Sequence, residues 1–273
     1  MKRNVIAVLL FCLTTGLYGG EKVWYGNGDK LTVLMLTGLN LRQKPDIGGK
    51  VVVQVPYGET VTVLDDGNSP VPFTFDNIKG HWVYAEWNGH KGYVFDGFLS
   101  ALPAPPVIDG GPCQTSMLGT HEIMHSYFGM LGETEIPVND TAVVDGKKVP
   151  HFSAKFEFGI EEDIYFYENS VETLILLQSG ANGYYTPYRM EEVFLLIQAC
   201  GLLPGYFPLP VKSMSASDKT FGFSVLKKDD RIILSKKGQK ITLIDSVHSV
   251  HLWIEETSEY LAEHEFPAPY NGD

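Results

Sequence analysis

The sequence predicts a two-domain protein: an N-terminal all-β small barrel, then a C-terminal α+β domain with an antiparallel sheet and one or two helices. Three observations carry this. From Leu31 to Leu99 short β-type runs follow one another, separated by turn residues and without a helical period. Residues 101–113, ALPAPPVIDGGPC, hold four prolines and two adjacent glycines, the composition of a linker. Beyond them strand-like runs resume around one amphipathic stretch that has helix boundary signals at both ends.

Residues 1–19, MKRNVIAVLLFCLTTGLYG, place Lys2 and Arg3 before an apolar run from Val5 to Leu13 and then turn to small residues. That is the pattern of a secretory signal, so the mature chain is expected to be exported, periplasmic or extracellular. Cys12 follows bulky Phe11, a context that argues against lipid attachment there. No later segment offers about twenty consecutive apolar residues, so no transmembrane helix is expected in the mature chain. Over 273 residues the formal net charge is −12, and removal of the leader takes away Lys2 and Arg3 but no acid. With no basic run to offset it, this surface repels polyanions, which excludes nucleic acid and anionic lipid as natural partners.

The barrel region reads LTVLML, GLNLRQKPDIGGK, VVVQVPYGETVTVL, a polar loop, HWVYAEW, NGHKG and YVFDGFL. Asn88-Gly89 supplies the positive φ angles of a tight hairpin, and Gly58 lets the chain turn after Pro56-Tyr57. In HWVYAEW, alternation puts Val83 and Ala85 on one face and Trp82 and Tyr84 on the other. Gly38-Leu39-Asn40-Leu41-Arg42 with Pro45 behind it, Val55 and Gly58 ahead of Val61 to Leu64, Trp82-Val83, and Gly92-Tyr93-Val94 ending at Phe98-Leu99 come in a specific order and spacing. This stretch resembles a bacterial SH3 domain, the SH3b family of exported and cell-wall-associated proteins, over residues 28–102. One departure is DDGNSPVPFTFDNIKG, longer than the turn usual between the middle strands.

The resemblance implies an SH3-like barrel that recognises a peptide, in some members a peptide of peptidoglycan. A groove of that kind takes its binding area from aromatic side chains and its orientation from polar groups. Asn40, Tyr57, Trp82, Tyr84 and Tyr93 are the candidates by strand parity and turn position, and filling a small barrel is the competing use for such aromatics.

After the linker, 103–113, the domain of residues 114–273 shows strand-like TAVV, KKVP, SAKFEF, DIYFYE, VETLILL, TFGFSVL, RIILS, KITLI and SVHLWIE. Asp145-Gly146 marks a turn between the first two. The one clear helix is capped by Thr186, starts at Pro187, carries a stripe of Met190, Val193, Phe194 and Ile197, and ends at Gly201 and Pro204. Cys113 and Cys200 remain after the leader. Paired, they close a long loop worth about 2–4 kcal/mol; buried as two thiols, they pack as small hydrophobes.

One motif raises an enzymatic alternative. In THEIMHSYFG, His121 and His125 stand one helical turn apart with Glu122 between them, the arrangement in which two imidazoles hold zinc and the glutamate is the base. Gly119 and Gly129 bracket the segment, and Phe128 and Leu131 occupy the places where an extended motif puts its glycine and third histidine. No Gly-x-Ser-x-Gly elbow or phosphate loop is present, and neither GPCQTS nor QACGLL is the cysteine context of the wall peptidases that accompany SH3b modules. The reading is therefore a non-enzymatic exported SH3b protein without a cofactor, binding a peptide, peptidoglycan or an envelope protein. A zinc metallopeptidase built on His121 and His125, and an envelope scaffold with no wall binding, are the alternatives.

Overall fold

The computed structural model describes residues 25–108, 111–112, 119–178, 188–203, 207–215, 222–246 and 249–262. The leader with Cys12, the helix signals Thr186, Pro187 and Pro204, and Cys113 lie outside the described residues, and with Cys113 the question of its pairing; Cys200 itself is buried.

The N-terminal unit holds β1 (Lys30–Val33), β2 (Leu39–Arg42), β3 (Val51–Val55), β4 (Thr60–Val63), β5 (Val71–Phe75), β6 (Ile78–Trp87), β7 (His90–Phe95) and β8 (Leu99–Ser100). They pair antiparallel in the order β3-β2-β7-β6-β4-β1-β8, and β5 joins the first half of β6. Alternation sends one side of each strand inward: Leu39 and Leu41 are buried while Asn40 and Arg42 are not, and Val61, Val63, Val83, Ala85 and Val94 complete the interior. Asn88 and Gly89, at φ 48° and 79°, form the expected turn between β6 and β7. At Gly92 a Cβ would lie 2.5 Å from the Arg42 carbonyl oxygen, so only glycine lets β7 approach β2 there.

The long polar stretch is not simply a loop. Residues 71–75 fold back as β5 on β6 through Asp76 and Asn77, whose φ angles of 47° and 67° make the turn. A two-residue ribbon, β9 (Val107–Ile108) with β10 (Gly111–Pro112), follows in the proline-rich segment.

The second unit is mostly sheet. Helix α1 (Thr120–Leu131) precedes β11 (Val138–Val144), β12 (Lys147–Phe156), β13 (Ile160–Tyr167) and β14 (Ser170–Gln178). Helix α2 (Met190–Ala199) leads to β15 (Ser224–Lys228), β16 (Arg231–Lys236), β17 (Gln239–Ser246), β18 (Ser249–Thr257) and the short α3 (Ser258–Ala262). The eight strands form one antiparallel sheet, β11-β12-β13-β14-β18-β17-β16-β15, two meanders joined where β14 meets β18. The expected antiparallel sheet is there, with three helices among the described residues instead of one or two. KKVP and SAKFEF merge into the single strand β12, because Pro150 takes a position where no partner asks for its missing N–H.

Both long helices lie on one face of the sheet. Met124, Tyr127 and Phe128 of α1 are buried, as are Ala154, Phe156, Ile160, Ile175 and Leu252 of the strands. Helix α2 departs from the amphipathic stripe: Leu195 and Leu196 are buried as well as Val193, Phe194 and Ile197. It packs on β17 and β18 on one side and on the 3-10 turn Asp96–Phe98 of the barrel on the other, which leaves it no solvent face.

The barrel and the sheet consequently share one continuous apolar core. Polar groups cross the same boundary. The Arg189 guanidinium donates to the carbonyls of Asp96 and Leu99 at 3.3 Å each, and Ser100 Oγ donates to the Glu192 carboxylate. Burial by itself lowers the Arg189 pKa, but Glu192, Asp96 and Glu191 around it raise it on balance, while burial pushes the Glu192 carboxyl up. The proline-rich segment is pinned at two points: Tyr127 and Tyr57 donate to the carbonyls of Pro103 and Pro105, each at 2.7 Å.

Candidate functional site

The β6–β7 hairpin sets Tyr84 directly across from Tyr93, with ring centroids 5.2 Å apart and planes tilted by 56°. Cross-strand aromatic neighbours on one sheet face meet in this way. The loop after β4 then closes over them. Asp66 accepts a 2.5 Å hydrogen bond from the Tyr93 hydroxyl and is braced by Asn68, which donates its backbone N–H and its side-chain amide at 3.0 Å each. The Tyr93 hydrogen bond, with those of Asn68, holds the Asp66 carboxyl below its usual range, and the same bond raises the Tyr93 phenol.

The result is an open cleft of about 200 Å³ whose walls include Tyr25, Asp65, Asp66, Tyr84 and Tyr93 over the edge of Trp82. Among the described residues its lining has two aspartates and no lysine, arginine or histidine. Tyr25 is fixed by donating its hydroxyl to the Asp96 carboxylate, and burial followed by Asp96 pushes its phenol well above the ordinary range. Asp96 in turn accepts the His81 backbone N–H at 2.5 Å. Two aromatic faces beside carboxylates form a surface that favours a positively charged group on its ligand.

The five sequence candidates do not converge on one point. Tyr84, Tyr93 and Trp82 border this cleft, but Trp82 is only 4% exposed and stands against Phe73 and Phe95 at 5.4 and 6.1 Å between centroids. Strand parity placed it on the outer face correctly; the β5 hairpin buries it there. Asn40 lines a second, apolar groove of about 180 Å³ with Met35, Ile47, Phe73 and Phe75 on the other side of Trp82. Tyr57 belongs to neither and spends its hydroxyl on Pro105. Asp65, Asp66 and Tyr25 escaped sequence reasoning. The Asp-Asp-Gly-Asn run signalled a turn, but nothing in it says which strand the turn covers.

The zinc-type motif lies in α1. His121 is buried, with Nδ1 2.9 Å from Glu256 Oε2; His125 Nδ1 is 2.6 Å from Glu162 Oε2. Glu122 turns back to accept the Gly119 backbone N–H at 3.0 Å, the use of a glutamate at a helix start. Among the described residues no three His, Cys, Asp or Glu side chains are grouped so that they could hold a metal ion. A peptidase centre needs both imidazoles and a third ligand on one ion with Glu122 beside it, and the described residues do not supply that set. Instead the two histidines fasten α1 to β18 and β13. The bond to Glu162 raises the His125 pKa against the effect of burial, and burial raises Glu162.

No curated protein and no solved structure matches the chain. Residues 37–100 match the family described as bacterial SH3 domain, a range that takes in β2 to β8 and most of the lining of both grooves beside Trp82, but not Tyr25 or Met35. The chain therefore contains a bacterial SH3 domain, and the cleft of Tyr84 and Tyr93 is built on it.

Proposed function

We propose that this chain is an exported, non-enzymatic envelope protein that binds a peptide carrying a positive charge, such as a free amine of a wall peptide, in the cleft of Tyr84, Tyr93 and Asp66. Bacterial SH3 domains are cell-wall or peptide-binding modules, and the basic-then-apolar start of the chain supports an address outside the cytoplasm. The observation that carries the reading is the cleft itself: paired tyrosine rings, two carboxylates and, among the described residues, no cationic side chain in the lining. A cation over such rings gains about 0.5–2 kcal/mol, depending on how far water is excluded.

Retention on purified peptidoglycan, with titration of soluble wall peptides, tests the reading. Tyr84→Ala combined with Tyr93→Ala should weaken retention about tenfold or more, since one truncated aromatic anchor costs more than about 1 kcal/mol. Acetylating the peptide amine should weaken it similarly. Unchanged retention by the folded double variant would exclude this cleft.

A further inference from the structure

The outer edge of the eight-stranded sheet has no strand beside it among the described residues: β11 pairs with β12 alone. Soluble proteins blunt such edges with lysine, proline, a bulge or a very short strand. β11 has none of these. It is seven residues, VNDTAVV, in unbroken register with β12 from Val138↔Ser153 to Val144↔Lys147. Its aliphatics face solvent, with Val138 50% and Val143 70% exposed, and Ile136 just before the strand is 91% exposed.

The turn fixes which backbone groups face outward. Asp145 and Gly146, with φ of 50° and 76°, close a two-residue hairpin, so Val144 and Lys147 form its hydrogen-bonded closing pair. Bonds to β12 then recur at every second residue, and the N–H and C=O groups of Val143, Thr141 and Asn139 point away from the sheet. Pro150 provides an independent check. It stands opposite Thr141, where this parity requires no bond, and the β12–β13 register begins only at His151↔Tyr165, just past the side on which its N–H is missing.

We propose that β11 is the docking edge for a second copy of this chain, strand against strand and antiparallel, about a twofold axis through Thr141, so that two eight-stranded sheets become continuous. Thr141 is the middle residue of the seven, so this register uses the whole strand. Thr141 then faces Thr141 and Asn139 faces Val143, which matches the outward hydrogen-bonding groups of one copy to those of the other. Val138 falls opposite Val144 and covers an exposed aliphatic. Asp140, held by His151 at 2.8 Å, falls opposite Ala142, so no like charges meet although the chain carries a net charge of −12. A closed twofold contact of this kind uses the same patch on both copies, so β11 is used up in the pair and cannot recruit a third copy.

The test uses the full chain. Sedimentation over a concentration series should show wild type passing from monomer to dimer, with no higher species. Thr141→Lys places two ammonium groups face to face at an exposed position and should leave a monomer with the wild-type melting temperature. Under mild oxidation Thr141→Cys should form a disulfide-linked dimer, because its mate lies with Cα about 5.5 Å away, within reach of the bond. Val143→Cys should not, because its own mate is four residues along, roughly 13 Å away. Wild type oxidised in parallel sets the background from native cysteines. A chain that stays monomeric at the highest concentration, a Thr141→Lys dimer, or equal crosslinking at both cysteine positions overturns the proposal.

Discussion

Replacing Trp82 with alanine separates two roles that the sequence left joined. The indole is 4% exposed and lies 5.4 Å from Phe73 and 6.1 Å from Phe95, centroid to centroid. Truncating a buried tryptophan of this kind costs about 3–5 kcal/mol through lost transfer energy and the cavity left behind. Of that, the two aromatic pairs account for about 0.5–1.5 kcal/mol each. Such a loss is a large fraction of the about 5–15 kcal/mol by which native domains are stable. In urea unfolding followed by near-ultraviolet circular dichroism, the midpoint should fall by about 1 M or more. Tyr84→Ala, at a half-buried position, should cost only about 1 kcal/mol while weakening peptide retention. If Trp82→Ala kept its midpoint and lost only binding, the indole would be a ligand-facing group and the assignment of β5 as its cover would be wrong.

Glu192→Ala leaves the Arg189 guanidinium buried without its main counter-charge and should cost about 3–5 kcal/mol by calorimetry, whereas a loss near zero would mean the pair is not buried as described. Gly92→Ala forces a Cβ to within 2.5 Å of the Arg42 carbonyl oxygen and should destabilise the barrel by about 1–3 kcal/mol; a wild-type melting curve would contradict the close approach of β7 to β2. The His125–Glu162 contact predicts a pH dependence of defined sign. The folded-state pKa of His125 is raised above 6.5, so its contribution is fully present below that pH and fades as pH rises through the raised value; Glu162, raised from 4.5 chiefly by burial, acts in the same direction. The stability difference between wild type and His125→Gln should therefore shrink as pH rises from 6.5. Taking the difference removes the opposite trend of His251, whose pKa burial lowers. A difference that grows with pH contradicts the assignment.

Local signals in the sequence were enough for the barrel strands and for two of the aromatics that line the cleft. The turn at Asn88-Gly89 sets the register that brings Tyr84 across from Tyr93, and both the turn and the alternation are short-range facts. Trp82 shows where short-range reasoning stops: its face was correct, but its burial depends on PVPFTFD folding back as a strand, and the two prolines in that run masked the strand pattern. The contacts of the α1 histidines were out of reach for the same reason. Their carboxylate partners lie 135 and 37 residues away, and only the assembled sheet brings them to the helix. Likewise α2 carries a legible stripe, yet burial of its opposite side follows from its place between sheet and barrel.

The joint between β14 and β18 has a consequence for how the polypeptide comes into being. β18 is the last of the sheet's eight strands to be synthesised, yet it occupies the middle of the sheet, paired along nine residues from Ser170↔Thr257 to Gln178↔Ser249. Whether the chain leaves a ribosome or threads through a membrane pore, its amino end comes first, and the meander ending at β14 waits with an open flank until residue 249 follows. During that interval a holding chaperone, or delayed collapse, has to keep the flank from recruiting strangers. A stop codon at Ser249 would therefore remove the keystone of the sheet and leave two unjoined halves.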